Sequence, residues 1–100
     1  MDITTQNDNG TYNVTLSGKF TFTDNPEFRT ILDKISDANI SKVILHMERV
    51  EFVDSAALGM LLLAYDESEK HKKALLLEGV NGQVKRIFAM ARFEQFFKFQ

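Results

Sequence analysis

The residues best placed to do chemistry are Asp54 and Ser55, in the run Val53-Asp54-Ser55-Ala56-Ala57-Leu58-Gly59. The run follows a strongly apolar stretch, Lys42 to Met47, after a short connection. It opens the most apolar helix-forming segment of the chain, Ala56 to about Lys73. This placement predicts Ser55 at a helix N-cap, where its hydroxyl accepts from the free N–H groups of the first turn. A phosphate on that hydroxyl would meet the same N–H groups and the positive end of the helix dipole. As a catalytic nucleophile Ser55 is poorly equipped, since no G-x-S-x-G elbow surrounds it and only His46 lies nearby as a base. His46 sits inside an apolar strand and His71 among lysines, and both read as structural. No His and carboxylate set has metal-ligand spacing, and no G-x-x-x-x-G-K loop is present to cradle phosphates. The Lys70 to Lys73 run reads as a solvated helix end without the aromatic platform of a nucleic-acid site. The expectation is a non-enzymatic chain without a cofactor.

The bounds agree. One hundred residues make one small domain, spanning 1–100, with 44% hydrophobic and 26% charged residues. A net charge of -2 gives no electrostatic reason to expect nucleic acid or an anionic membrane. The absence of cysteine rules out a disulfide frame and thiolate chemistry, as suits a reducing cytosol. The longest apolar run, Ala56 to Tyr65, is too short to span a bilayer, and no signal-peptide core precedes it. The expected location is the cytoplasm.

The elements that must position Asp54 and Ser55 follow from periodicity. Ile3 to Gln6 leans to strand, Asp8-Asn9-Gly10 supplies a turn, and Tyr12, Val14 and Leu16 alternate with polar residues. The result is an N-terminal hairpin, with Lys19-Phe20-Thr21-Phe22 continuing extended. Asn25 caps a helix that has Pro26 at its first position, with Phe28, Ile31, Leu32 and Ile35 on one face to about Asp37. Lys42 to Met47 shows little alternation and reads as a central strand covered on both faces, with Glu48 to Asp54 as the connection into the central helix. Ala74 to Leu77 forms another strand. Asn81-Gly82 begins a helix with Val84, Ile87, Phe88 and Ala91 on one face. Phe93, Phe96, Phe97 and Phe99 close the chain as a turn or short helix against the sheet. The order ββαβαβα describes an α/β domain with a mixed sheet of about four strands covered by helices. In such folds partners meet the loops beyond the carboxyl ends of parallel strands, where Asp54-Ser55 lies and where the Phe22 to Asn25 loop is expected.

Leu16-Ser17-Gly18-Lys19, the Pro26-Glu27-Phe28 helix, Val43-Ile44-Leu45, Phe52 to Gly59 and Leu75-Leu76-Leu77 together resemble a STAS domain. This is the family of bacterial anti-sigma factor antagonists, and the resemblance covers essentially the whole chain. It implies a partner-switching protein in signal transduction and transcription regulation. The serine matching Ser55 would be phosphorylated by a partner that is both serine kinase and anti-sigma factor, and a metal-dependent serine phosphatase would remove the phosphate. The unphosphorylated form would bind the kinase-type partner. The resemblance also admits a fixed subunit of a lipid-transporting ATP-driven membrane complex. Two departures stand out: Ala57 and Arg92 occupy positions where many members carry glycine. The expected partner-binding face comprises Asp54, Ser55, Ala56, Ala57, Leu58 and Gly59, with Asp24 and Asn25 as its rim. Neither direct nucleic-acid binding nor membrane insertion is expected.

Overall fold

The computed structural model of the chain describes residues 1–96 and 98–99. Strands β1 (Asp2–Asp8) and β2 (Thr11–Phe20) pair antiparallel, with Asp8 opposite Thr11. The two residues between them, Asn9 and Gly10, have φ of 51° and 92°, the double positive φ that a two-residue hairpin turn of this twist demands. Helix α1 (Asn25–Ile35) leads to β3 (Lys42–Val53), α2 (Ser55–Lys70) to β4 (Ala74–Glu78), and α3 (Gly82–Met90) to a two-residue strand, β5 (Lys98–Phe99). The sheet runs β1-β2-β3-β4-β5, and every pairing after the hairpin is parallel. The mixed α/β sheet is as expected, with β5 added at its edge. The closing segment forms the short helix anticipated, a 3-10 turn at Phe93–Gln95, before β5. Phe97, also assigned to that segment, lies outside the described residues.

One face of the sheet carries the core. Tyr12, Val14 and Leu16 of β2, Val43, Leu45 and Met47 of β3, and Leu75 and Leu77 of β4 join Phe28 and Ile31 of α1, Met60 and Leu61 of α2, and Val84 and Phe88 of α3 in a single cluster. All three helices therefore pack on that face. Ile44 and Leu76 are also buried but lie outside the cluster, as their alternate positions on the strands require. Beside them Asn13, Thr15 and His46 are half-buried. The lack of alternation in Lys42 to Met47 thus reflects burial on both faces, but helices cover only one.

Several boundaries differ from expectation. β3 runs on to Val53, because β2 continues to Phe20 and offers it a ladder as far as the Phe20–Val53 pair. Two register slips in this ladder, between Thr15 and Ser17 and between Gly18 and Lys19, accommodate extra β3 residues and blur the alternation of Glu48, Arg49 and Glu51. Asp24, not Asn25, occupies the N-cap position of helix α1, without a side-chain capping bond; Asn25 is at the first position and Pro26 at the second, and the helix ends at Ile35. Helix α2 ends at Lys70, three residues before the expected Lys73. There Lys72 N–H donates to Glu69 O (3.2 Å) and Lys73 N–H to Ser68 O (2.7 Å), the paired bonds of a Schellman ending. This ending requires a left-handed residue, and Lys72 supplies it at φ 57°. Arg92, after α3, likewise sits at φ 58°, where glycine would be unstrained. Lys73 does not project into solvent. It is half-buried, and its ammonium donates to Asp37 O (2.9 Å) and to Ile40 O, tying the exit of α1 to the start of β4.

Replacing the left-handed non-glycines relieves their Cβ strain. Lys72→Gly and Arg92→Gly should each raise unfolding stability by about 1 kcal/mol, the Cβ penalty less part of the extra glycine entropy. Lys73→Met removes both ammonium bonds and should lower stability by about 2 kcal/mol. Urea midpoints at constant m-value measure all three, and an unchanged midpoint for a variant refutes that assignment.

Candidate functional site

The parallel register of β2 and β3 ends at Phe20 opposite Val53, so the chain leaves both strands side by side at their carboxyl ends. Asp54 N–H donates to Phe20 O (3.2 Å) and extends the pairing by one bond. Beyond it the β2 exit turns into a 3-10 turn, Phe22–Asp24, while the β3 exit enters α2.

Asp54, not Ser55, is the N-cap of α2. Its backbone is extended (ψ 179°), its Oδ1 accepts from Ala57 N–H at 2.8 Å, and its carbonyl accepts from Leu58 N–H at 3.1 Å. The Asp54 carboxylate takes the capping position, where its charge is favourable beside the helix dipole, and Ser55 becomes the first helical residue. Ser55 is exposed there. Its own N–H and that of Ala56 are the first-turn donors that no Asp54 oxygen takes. The second carboxylate oxygen, Oδ2, accepts from Phe22 N–H at 3.2 Å, so one side chain serves both loops.

The expected face divides into two sets. Ser55, Ala56 and Gly59 are exposed, and Asp54, Leu58 and Asn25 are half-buried. Ala57 is 0% exposed and belongs to the core, so its side chain cannot meet a partner. Asp24 is also buried, and its carboxylate accepts from Thr21 N–H (2.9 Å) and from the Met1 ammonium (3.4 Å), holding the turn from beneath. Asn25 is engaged by Arg29, whose Nε donates to Asn25 Oδ1 at 2.8 Å. The loops after β2 and β3 do meet, but two of the eight residues act as supports.

Two features escaped the sequence reading. Phe22 is 67% exposed. Strict alternation in Lys19-Phe20-Thr21-Phe22 would bury Phe22 with Phe20, but the strand ends at Phe20 and the 3-10 turn carries Phe22 out of its register. The other is a polar ladder on the face without helices, where His46 Nε2 hydrogen-bonds Asn13 Oδ1 (2.9 Å) and Nδ1 lies 3.6 Å from Glu78 Oε1. These partners come from the flanking strands β2 and β4, so spacing near His46 carries no trace of them.

Among the described residues no group of three or more His, Cys, Asp or Glu is arranged to hold a metal ion, and no helix is long and apolar enough to cross a membrane. Comparison with known proteins is consistent across sequence and fold. The chain is 28% identical over 85 residues to a STAS-domain containing protein of Pseudomonas aeruginosa (strain UCBPP-PA14), a match covering 85% of this chain and 83% of that protein. Its fold is similar to that of a putative anti-sigma factor antagonist from Thermotoga maritima, with TM-score 0.87 at 14% identity over 97% of this chain and 84% of that one. It is also similar to the Bacillus cell fate determinant SpoIIAA in its phosphorylated form, with TM-score 0.78 at 17% identity over 99% and 91% of the two chains. The family model described as STAS domain matches residues 2–100. With the mixed sheet and the Asp54-Ser55 helix start already in place, this match shows that the chain belongs to the STAS domain family.

Proposed function

We propose that this chain is a protein-interaction switch of the anti-sigma factor antagonist type. Unphosphorylated, it binds a serine kinase that doubles as an anti-sigma-type regulator; phosphorylation of Ser55 weakens that binding, and a metal-dependent serine phosphatase restores it. The output is transcription or another signalling response. The observation that carries this reading is the exposed Ser55 hydroxyl at the first turn of α2, beside a capping carboxylate and two first-turn N–H groups that the cap leaves over. Similarity of fold to a putative antagonist from Thermotoga maritima and to SpoIIAA in its phosphorylated form supports it.

The physics of the switch is local. A phosphoserine adds about -1.5 to -2 charges at pH 7. The helix start tolerates that charge, so the domain stays folded. A partner covering Ala56, Leu58 and Gly59 must instead desolvate a phosphate next to Asp54. A mismatched buried charge at an interface costs on the order of 2–5 kcal/mol, which corresponds to roughly 30-fold to several-thousand-fold in affinity.

Intact-mass and peptide mass spectrometry of the protein from its own cells, with and without phosphatase treatment, should place a phosphate on Ser55. Ser55→Ala should retain the kinase on affinity purification, and Ser55→Asp should bind it at least about 30-fold more weakly while remaining folded. Equal binding by the two variants rules out charge at Ser55 as the switch. Ser55 unmodified in every growth condition, together with a co-purifying transporter ATPase, selects a fixed transporter subunit instead.

A further inference from the structure

The carboxylate of Asp54 divides its two oxygens between two elements. Oδ1 accepts from Ala57 N–H (2.8 Å) and fixes the start of α2, while Oδ2 accepts from Phe22 N–H (3.2 Å) and fixes the 3-10 turn. That turn is held elsewhere by Asp24, through Thr21 N–H to Asp24 Oδ2 (2.9 Å) and Asp24 N–H to Thr21 O (3.0 Å). Among the described residues the other exposed large apolar side chains are Leu63 within α2, Met90 at the end of α3, and Phe96 beyond it. Phe22 adjoins the α2 start. An aromatic ring on a turn whose backbone is already bonded loses little freedom on binding, and aromatics recur among the residues that dominate interfaces.

We propose that Asp54 is a positioning residue that couples the charge on Ser55 to the Phe22 turn, so that the docking face is composite and its two halves loosen together on phosphorylation. This rests on the reading of Ser55 as a phosphorylation site and specifies how that site acts. A phosphate on the residue after Asp54 adds a second anion beside the carboxylate at one helix start. Like charges drive the carboxylate away from the helix start. When it turns, Phe22 N–H loses its acceptor, and the exposed ring is no longer held in the geometry it presents to the kinase-type partner.

The test needs no partner. Amide hydrogen exchange by NMR is compared in the full chain as wild type, as Asp54→Asn, and with phosphoserine inserted at position 55 during translation. In Asp54→Asn the asparagine oxygen still caps Ala57, so the Ala57 amide should keep its wild-type rate while Phe22 exchanges on the order of tenfold faster. In the phosphoserine chain, which keeps Asp54, Phe22 should accelerate by a similar factor with β3 amides unchanged. A wild-type Phe22 rate in the phosphoserine chain overturns the coupling, whether or not Asp54→Asn folds. Absence of phosphate on Ser55 in cells would overturn the switch reading while leaving this measurement intact, so the two failures are distinguishable.

Discussion

The parallel pairing of β2 with β3 is the constraint on which the rest of the molecule depends. Parallel strands cannot be joined by a tight turn, so α1 must lie between them, and the sheet must be roofed by helices on the side where those crossovers run. The same pairing decides where the two chain exits emerge. Because Phe20 and Val53 are partners in the last rung, the turn after one strand and the helix after the other begin within hydrogen-bonding distance. Asp54 then needs only a short side chain to reach both. A shorter β3, ending with its apolar half at Met47, would leave that site unbuilt.

Burial supplies the stiffness beneath these strand ends. Phe20, the last residue of β2, packs its ring 5.1 Å from that of Phe28 in α1, and both are fully buried. Ala57 seats the first turn of α2 on the core from the other side. The site is therefore exposed chemistry on a closely packed base. Interiors packed to crystal-like density have low compressibility and transmit strain, and at the surface the Asp54 carboxylate adds a polar link between the two loops.

Much of this was legible in the sequence. The Asp8-Asn9-Gly10 turn, the period-2 pattern of β2 and the i, i+3, i+4, i+7 pattern of α1 each express backbone or burial requirements local to the segment, so the residues themselves carry them. The strand–helix–strand spacing gave the parallel crossovers for the same reason. What escaped reading depends on residues remote in the chain. β3 is long because β2 offers it rungs, not because Glu48, Arg49 and Glu51 favour a strand. Lys73 belongs to a charged run by sequence and to a carbonyl cage by structure, since Asp37 and Ile40 are brought to it by folding. At the site itself the location was plain but the assignment of cap was one residue out. Asp and Ser are comparable caps in isolation, and the tie is broken by Phe22 N–H, which only the folded chain brings to Asp54.

Strand β1 also determines how the sheet can grow. Its seven residues are mostly exposed, and they form an edge whose outward N–H and C=O groups are open to a further strand. A second copy pairing antiparallel about Thr5 would set Asp2 of each chain against Asp8 of the other. Like charges placed directly across a ladder are destabilising, and this arrangement repeats them at both ends. In that register the hairpin edge disfavours pairing with its own copy, through two acidic residues six positions apart.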